Sequence, residues 1–241
     1  DVVGSRGLGD VYKRQDIELP PIVRFERQGG GKEAIENAAK LLSKAKFPVI
    51  LSGAGVVLGG AIDECKKLAE KLDAPVCNGY QHNDSFPGSH PLAVGPLGYN
   101  GSKAAMELIS KADVVLALGT RLNPFSTLPG YGIDYWPKKA TIIQVDMNPD
   151  RIGLTKKVSV GICGDAKQVA QQILDKLSSD AGNTGREERK NLIHKTKSAW
   201  LQTLSGLDHE EDDPGTVWNK EARERDKDRM SPRQAWRAIQ D

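Results

Sequence analysis

The sequence lacks several features that would place it in a specialised class of protein. No run approaches the roughly 18 apolar residues of a membrane-spanning helix, and the N-terminus has no apolar core of a secretory signal. Cysteine is scarce: Cys65, Cys77 and Cys163 are odd in number and far apart, which fits neither a disulfide framework nor a zinc site. The net charge of +2 does not indicate a nucleic-acid or membrane partner. We therefore expect a cytoplasmic protein.

The composition is ordinary for a globular protein, with 38% hydrophobic and 27% charged residues among 241. That length suits one large domain or two small ones. Residues 1–15 contain three glycines and no hydrophobic period, and we expect them to be a non-native leader. Residues 16–31 contain a proline pair and a glycine triplet, which indicate an interdomain linker.

Short apolar runs alternate with helical periodicity between residues 32 and 180. The runs are typical of buried parallel strands and lie at 47–51, 75–77, 113–118, 141–145 and 158–162. Helical spacing predicts helices at 32–45, 61–72, 102–111 and 166–177. Parallel strands need crossover connections, which place helices on both faces of the sheet. The predicted fold class is α/β: a doubly wound, mostly parallel sheet with helices on both faces, in a central domain of residues 32–180.

The character of the chain changes after residue 180. Residues 181–229 contain an amphipathic pattern at 191–204 and then alternating acids and bases, so we expect a helical and charged linker, an irregular C-terminal tail to the sheet. Ser231 and Pro232 have the pattern of a helix start, and the predicted helix has run only to Gln240 when the chain stops. We interpret residues 230–241 as the truncated start of a further domain, and the chain as a fragment.

Three predicted strands end on glycine or polar residues. Gly53 and Gly55 follow the first, Thr120 and Arg121 follow the central one, and Asp146 ends the next. The carboxyl ends of parallel strands meet at one edge, so these residues predict a ligand crevice there. The glycine spacing misses the dinucleotide motif by one residue and no ribose-binding acid follows, which disfavours NAD. The alternative is that these glycines serve tight packing alone.

A long glycine-rich stretch, residues 80–101, is predicted to be a loop and a candidate site. Its Gly98 lies in a glycine cluster before a helix that Ser102 can cap, where backbone amides attract anions; a plain capped loop is the alternative. His82 and His90 lack the spacing of metal ligands, and no serine has the context of a hydrolase nucleophile. We predict no metal site.

Several stretches carry a family resemblance that is strong over residues 16–177. They are Leu51-Ser52-Gly53, Ala74-Pro75-Val76-Cys77, His82-Asn83-Asp84, Gly95-Pro96-Leu97-Gly98-Tyr99, Asp134-Tyr135-Trp136-Pro137 and Gly161-Ile162-Cys163-Gly164-Asp165. On these stretches the chain resembles the central domain of thiamine-diphosphate-dependent enzymes, and most closely the sulfoacetaldehyde acetyltransferases.

The resemblance implies a subunit of three domains. Its first domain supplies a glutamate that activates thiamine diphosphate, and its last binds the diphosphate through Mg²⁺, so no catalytic or metal-binding residue is expected in this chain. The implied reaction converts sulfoacetaldehyde and phosphate to acetyl phosphate and sulfite, in a homodimer or homotetramer. The isolated fragment is expected to be inactive.

Related enzymes leave two alternatives open. In acetohydroxyacid synthases the central domain binds FAD, and in oxalyl-CoA decarboxylases it binds ADP. The resemblance implies that Gly53, Gly55, Gly98 and Arg121 take part in such a site, and Thr120 and Asp146 complete the set of expected cofactor-binding residues. A free-standing NAD-dependent domain, similar to deoxyhypusine synthases or sirtuins, is the remaining alternative.

Overall fold

The computed structural model describes residues 26–209. Within this range six strands form one sheet: β1 (Pro48–Ser52), β2 (Val76–Asn78), β3 (Ala93–Pro96), β4 (Val114–Leu118), β5 (Thr141–Asp146) and β6 (Val160–Cys163). The helices are α1 (Lys32–Lys44), α2 (Ala54–Leu58), α3 (Ile62–Leu72), α4 (Lys103–Ile109), α5 (Ala166–Lys176) and α6 (Arg186–His209). The expectations for residues 1–15 and 230–241 lie outside the described residues.

The sheet is parallel throughout, in the order β3-β2-β1-β4-β5-β6. Strands β1 and β4 are central, and all five residues of each are buried. They are covered on both faces, which explains why they are apolar runs without polar alternation. The predicted fold class, a doubly wound α/β sheet, is confirmed.

Helices cover the two faces of the sheet unequally. Helices α1, α3 and α5 pack together on one face, while α4 and α6 pack together on the other. Helices α1, α3 and α5 each bury a periodic apolar stripe; in α1 it consists of Ile35, Ala38, Ala39 and Leu42. Helix α3 ends where Asp73 adopts a left-handed conformation, with φ of 46°.

Two elements were absent from the expectations. The stretch 80–101 was predicted to be one loop, and this is wrong because it contains β3. Only Ala93 and Val94 of β3 are buried, and Gly95 and Pro96 follow, so the strand has the composition of a turn. Helix α2 was also missed, since it is a single short turn of helix inside the glycine-rich segment after β1.

Helix α6 is longer than the amphipathic pattern at 191–204 indicated, and its N-terminal part is built into the domain. Arg189 on its first turns is 1% exposed, and Ile193 belongs to the core beneath α4. The Arg189 guanidinium donates hydrogen bonds to five backbone carbonyls, those of Lys46, Leu72, Asp73, Gly182 and Thr184. None of the helices in residues 26–209 has the length and apolar character needed to cross a membrane.

Candidate functional site

A cleft formed by the described residues lies at the carboxyl edge of the sheet. It has a volume of about 670 Å³ and opens between the segments that follow β1 and β4. From β1 the chain goes to β2 and β3 on one side, and β4 begins the other half of the sheet on the opposite side. The connections that follow β1 and β4 therefore lead in opposite directions along the sheet. The crevice between two such connections is where open α/β sheets bind their ligands.

Five of the six expected cofactor-binding residues line this cleft. They are Gly53, Gly55, Thr120, Arg121 and Asp146, and the structure brings them together from three strand ends. Gly98 is not among the lining residues, because it packs against the backbone of Phe125 behind the wall of the cleft. Whether these residues bind a cofactor remains a prediction.

The floor of the cleft is made of backbones in close contact. A Cβ atom added to Gly55 would lie 2.7 Å from the Cα of Gly119, and one added to Gly53 would lie 2.6 Å from the Cβ of Thr120. The Gly55 amide donates to the Gly119 carbonyl at 2.8 Å. The turn after β1 thus rests directly on the turn after β4. Packing alone is enough to require glycine at 53, 55 and 119, which is the alternative stated above for this motif.

The glycine cluster before α4 is also explained by packing. Gly98 has φ of +88°, and a Cβ there would come within 1.6 Å of the Phe125 carbonyl oxygen. Ser102 caps α4, its Oγ accepting the amide of Ala105 at 3.2 Å. These contacts are those of the plain capped loop.

Arg27 forms one end of the cleft and was not expected from the sequence. Its guanidinium donates to the Gly59 carbonyl and lies 3.6 Å from the Asp165 carboxylate. Asp165 is buried; its Oδ1 accepts the amides of Lys167 and Gln168 as the N-cap of α5, and its own amide donates to the Gln28 carbonyl. Arg27 belongs to the segment that was predicted to be an interdomain linker. Through its contact with the buried Asp165 carboxylate, this segment closes one end of the cleft.

Two further arginines are available to a ligand. Within residues 26–209 neither Arg121 nor Arg151 forms an ion pair, and both line the cleft. Asp146, which lies between these arginines in the sequence, accepts a hydrogen bond from the amide of Asn148 at 2.9 Å. Guanidinium groups without a carboxylate partner suit a phosphate or carboxylate ligand.

Gln144, buried inside β5, holds the segments that carry these arginines. Its Nε2 donates to the carbonyls of Thr120 at 3.2 Å and Arg151 at 3.1 Å, and its Oε1 accepts the amide of Gly153 at 2.9 Å. Gln144 is 1% exposed, and its bond to the Thr120 carbonyl is buried, so that bond is shielded from water. Sequence reasoning missed Gln144 because a single polar residue in an apolar strand gives no periodic signal. Its position between apolar neighbours in the predicted strand could have indicated a buried hydrogen-bonding role.

The segment after β2 forms the opposite wall with Tyr80, Gln81 and His82. A buried network fixes it from below: Ser52 and Ser85 donate to each other's carbonyls at 3.1 and 3.2 Å, and Asn78 donates to Ser85 Oγ at 3.0 Å. Tyr80 stacks on Phe125 with ring centroids 5.5 Å apart. This part of the stretch 80–101 belongs to the cleft.

The described residues offer little for catalysis. They contain no cluster of three or more His, Cys, Asp or Glu side chains suited to a metal ion. Burial raises the pKa of the Cys65 thiol to about 12 and raises that of Cys77 further, so neither supplies a thiolate near neutral pH. The cleft presents cations and the aromatic ring of Tyr80, which are groups suited to binding a ligand.

Comparison with known proteins gives a consistent result. Residues 35–173 match the model of the thiamine pyrophosphate enzyme central domain. The chain is similar to a probable sulfoacetaldehyde acetyltransferase of Rhizobium meliloti, 78% identical over 225 residues, and to a sulfoacetaldehyde acetyltransferase of Roseovarius nubinhibens, 75% identical over 225 residues. A probable acetolactate synthase large subunit of Methanocaldococcus jannaschii is 36% identical over 173 residues.

The matched regions differ in extent. The two acetyltransferase alignments cover 93% of this chain but 38% and 37% of the relatives, and the synthase alignment covers 72% of this chain and 27% of the relative. The chain therefore spans well under half of the length of these relatives.

Proposed function

We propose a function from one premise: the chain belongs to the thiamine pyrophosphate enzymes, whose central domain it carries at residues 35–173. The function that this premise and the site support best is that of the central domain of a sulfoacetaldehyde acetyltransferase. Such an enzyme would convert sulfoacetaldehyde and phosphate to acetyl phosphate and sulfite, as a homodimer or homotetramer. We place it in the cytoplasm, which agrees with its three unpaired cysteines.

One observation carries the choice of this reaction within the family. Identity to the two acetyltransferases is 78% and 75%, against 36% to the acetolactate synthase. The higher identity extends over 93% of the chain rather than 72%, so it includes segments outside the common sheet.

The described residues do not fit thiamine diphosphate and Mg²⁺. The acids of the cleft are already engaged: Asp165 caps α5 beside Arg27, and Asp146 holds the Asn148 amide. No metal-ligating cluster occurs in residues 26–209. We therefore assign no step of the reaction to this chain, whose proposed role is to provide a rigid scaffold between the parts that bind the cofactor.

A domain exchange tests the proposal. The segment of the Rhizobium meliloti relative that aligns with residues 26–209 is replaced by these residues, and sulfite release is measured with thiamine diphosphate and Mg²⁺. We expect a folded chimera that retains activity to within about tenfold, because 78% identity preserves the packing. A folded but inactive chimera would contradict the assignment.

Two controls accompany this exchange. The corresponding segment of the Methanocaldococcus jannaschii synthase, 36% identical to this chain, is expected to give a chimera with no sulfite release. The 241-residue chain alone, with the same cofactors, is also expected to release none.

A second candidate function is nucleotide binding in the cleft, by FAD or ADP. It is favoured by the two arginines without ion pairs, Arg121 and Arg151, in a volume of about 670 Å³ that would hold such a ligand. Thermal-shift titration of the chain with FAD, ADP and NAD tests it. If none of the three ligands changes the unfolding temperature, this candidate function is excluded. The glycines at 53, 55 and 119 would then serve packing alone.

A further inference from the structure

A second groove lies at the amino edge of the sheet, and we call it the α6 groove. It has a volume of about 560 Å³ and opens between α6, the end of α3 and residues 90–92, which precede β3. Its walls include the apolar side chains of Leu92, Ile193 and Leu201. Its charged and titratable lining groups are Glu70, Asp73, His90, Lys190, His194 and Lys197. None of the described residues that line it also lines the cleft at the carboxyl edge, so the two are separate sites.

Lys197 enters this groove from α6, and its side-chain nitrogen is held by main-chain carbonyls. Its Nζ donates to the Pro91 carbonyl at 2.7 Å and to the His90 carbonyl at 3.4 Å. It forms no ion pair with a carboxylate of residues 26–209. A neutral amine has two N–H donors and one lone pair. It can therefore keep both of these hydrogen bonds and still present its lone pair to a ligand.

The two carboxylates of the groove are engaged by other cations. Glu70 contacts His90 at 3.2 Å and also pairs with a lysine of α3. Asp73 pairs with both Arg186 and Lys190. Because these carboxylates are shared and the amine of α6 adds a further basic group, positive charge is in excess at the groove. Such a surface attracts anions.

The surroundings of Lys197 also favour its nucleophilic form. Burial lowers the pKa of its amine, because the charged form loses hydration. A lowered pKa increases the neutral fraction near neutral pH, and the neutral amine is the nucleophile. Lys138 shows the opposite case: it is exposed, and its hydrogen bond to Asp134, at 2.7 Å, raises its pKa. The less exposed of these two lysines is therefore expected to react faster.

From these observations we propose that Lys197 is a modification site, acylated at Nζ by an acyl phosphate that enters the α6 groove. The apolar walls accommodate the acyl group, and the excess of positive charge attracts the phosphate. The donor is identified as acetyl phosphate because the proposed reaction produces it, and in this respect the inference rests on the proposed function.

The chemical step needs no further reactant. The neutral Nζ attacks the carbonyl carbon of acetyl phosphate, and a bond forms between these two atoms. The bond from that carbon to the bridging oxygen breaks, inorganic phosphate leaves with the electron pair, and the amine proton passes to solvent. The product is an uncharged amide with one N–H where the amine had two. Acylation would therefore weaken the link between α6 and residues 90–92.

The test incubates the 241-residue chain with acetyl phosphate near neutral pH and follows acetylation of each lysine by mass spectrometry. The initial rate at Lys197 should exceed the rates at Lys138 and at Lys195, an exposed lysine of α6, by at least about fivefold. In urea that unfolds the chain, the three rates should become equal to within about twofold, since the groove is lost. A folded chain that reacts at Lys197 no faster than at the two reference lysines would overturn the proposal, and so would an advantage of Lys197 that persists in urea.

A pair of variants tests the role of the missing carboxylate. Leu201 is 59% exposed and lies four residues after Lys197 on α6, so the fold should tolerate a change there. Leu201→Glu supplies an i,i+4 partner and should slow acetylation of Lys197 at least about threefold. Leu201→Gln has nearly the same shape without the charge, and its rate should stay within about twofold of the wild-type value. Equal rates at Lys197 in the two variants would overturn the proposal.

The acyl phosphate is added as a reagent in these experiments. Their outcome therefore does not depend on whether the complete enzyme makes it, and sulfite release by the chimera does not depend on Lys197 acylation. This inference and the proposed function fail separately.

Discussion

The molecule uses arginine in two contrasting ways. Arg189, at the start of α6, is 1% exposed and donates to five backbone carbonyls. Arg121 and Arg151, at the cleft, form no ion pair within residues 26–209. Burial lowers the pKa of Arg189, and the carbonyl dipoles offset that cost of desolvation. The first arrangement stabilises the fold, and the second leaves charge available to a ligand or partner.

The largest expected effect concerns Arg189, the buried arginine of this comparison. Arg189→Met should lower the free energy of unfolding by about 3 kcal/mol or more, because buried carbonyls of three segments lose their donors. Urea unfolding followed by circular dichroism measures it. Arg121→Met is the control and should change stability by less than about 0.5 kcal/mol. Equal losses for the two variants would remove the distinction.

The next prediction concerns the floor of the cleft. Gly55→Ala should cost about 2 kcal/mol, because the added methyl group would meet the Gly119 backbone at 2.7 Å. Gly31→Ala is matched to it, since nothing lies within 4 Å of a Cβ at that position. Thermal unfolding of both variants should show a lower midpoint for Gly55→Ala only; an unchanged midpoint would mean that the two turns separate easily.

Gln144 shares a property with each region: it is buried, as Arg189 is, and it supports segments that line the cleft. Gln144→Leu should cost about 1–3 kcal/mol, because the Gly153 amide and two carbonyls lose their partner. Hydrogen exchange should increase at the Gly153 amide and in residues 119–123, while exchange in α6 stays at its wild-type rate. Uniform acceleration throughout the protein would instead indicate general destabilisation.

The smallest effect on stability is expected at the free arginines. Arg151→Met should leave the free energy of unfolding within about 0.5 kcal/mol of the wild-type value. If ADP or FAD gives a thermal shift with the wild-type chain, that shift should fall by at least half in this variant, because a charge-assisted contact is lost. A full shift would show that Arg151 does not face the ligand.

Much of the fold could be predicted from the sequence, because its signals are local. Strand β4 is an unbroken apolar run, and α1 has a regular stripe of buried residues. Strand β3 was missed because its pairing with β2 depends on non-local contacts that override the turn composition of Gly95 and Pro96.

The cleft was predicted in outline and not in detail. Strand ends gave Gly53, Thr120 and Asp146, since the topology of a parallel sheet alone brings them together. Arg27, Arg151 and Gln144 could not be found in this way. Arg27 and Arg151 lie on irregular segments, and no periodicity in the sequence encodes how those segments fold back onto the sheet. Gln144 lies in β5, but its role depends on the backbone groups that such segments bring to it.

The contact between Gly55 and Gly119 limits how this cleft can be altered. Each glycine occupies the space that a side chain on the other would need, so neither position can be enlarged by itself, and a screen of single substitutions would register both as intolerant. An engineer who wishes to change ligand preference should leave the floor as it is and vary Arg121, Arg151 and Met147, whose side chains can be exchanged without moving a backbone.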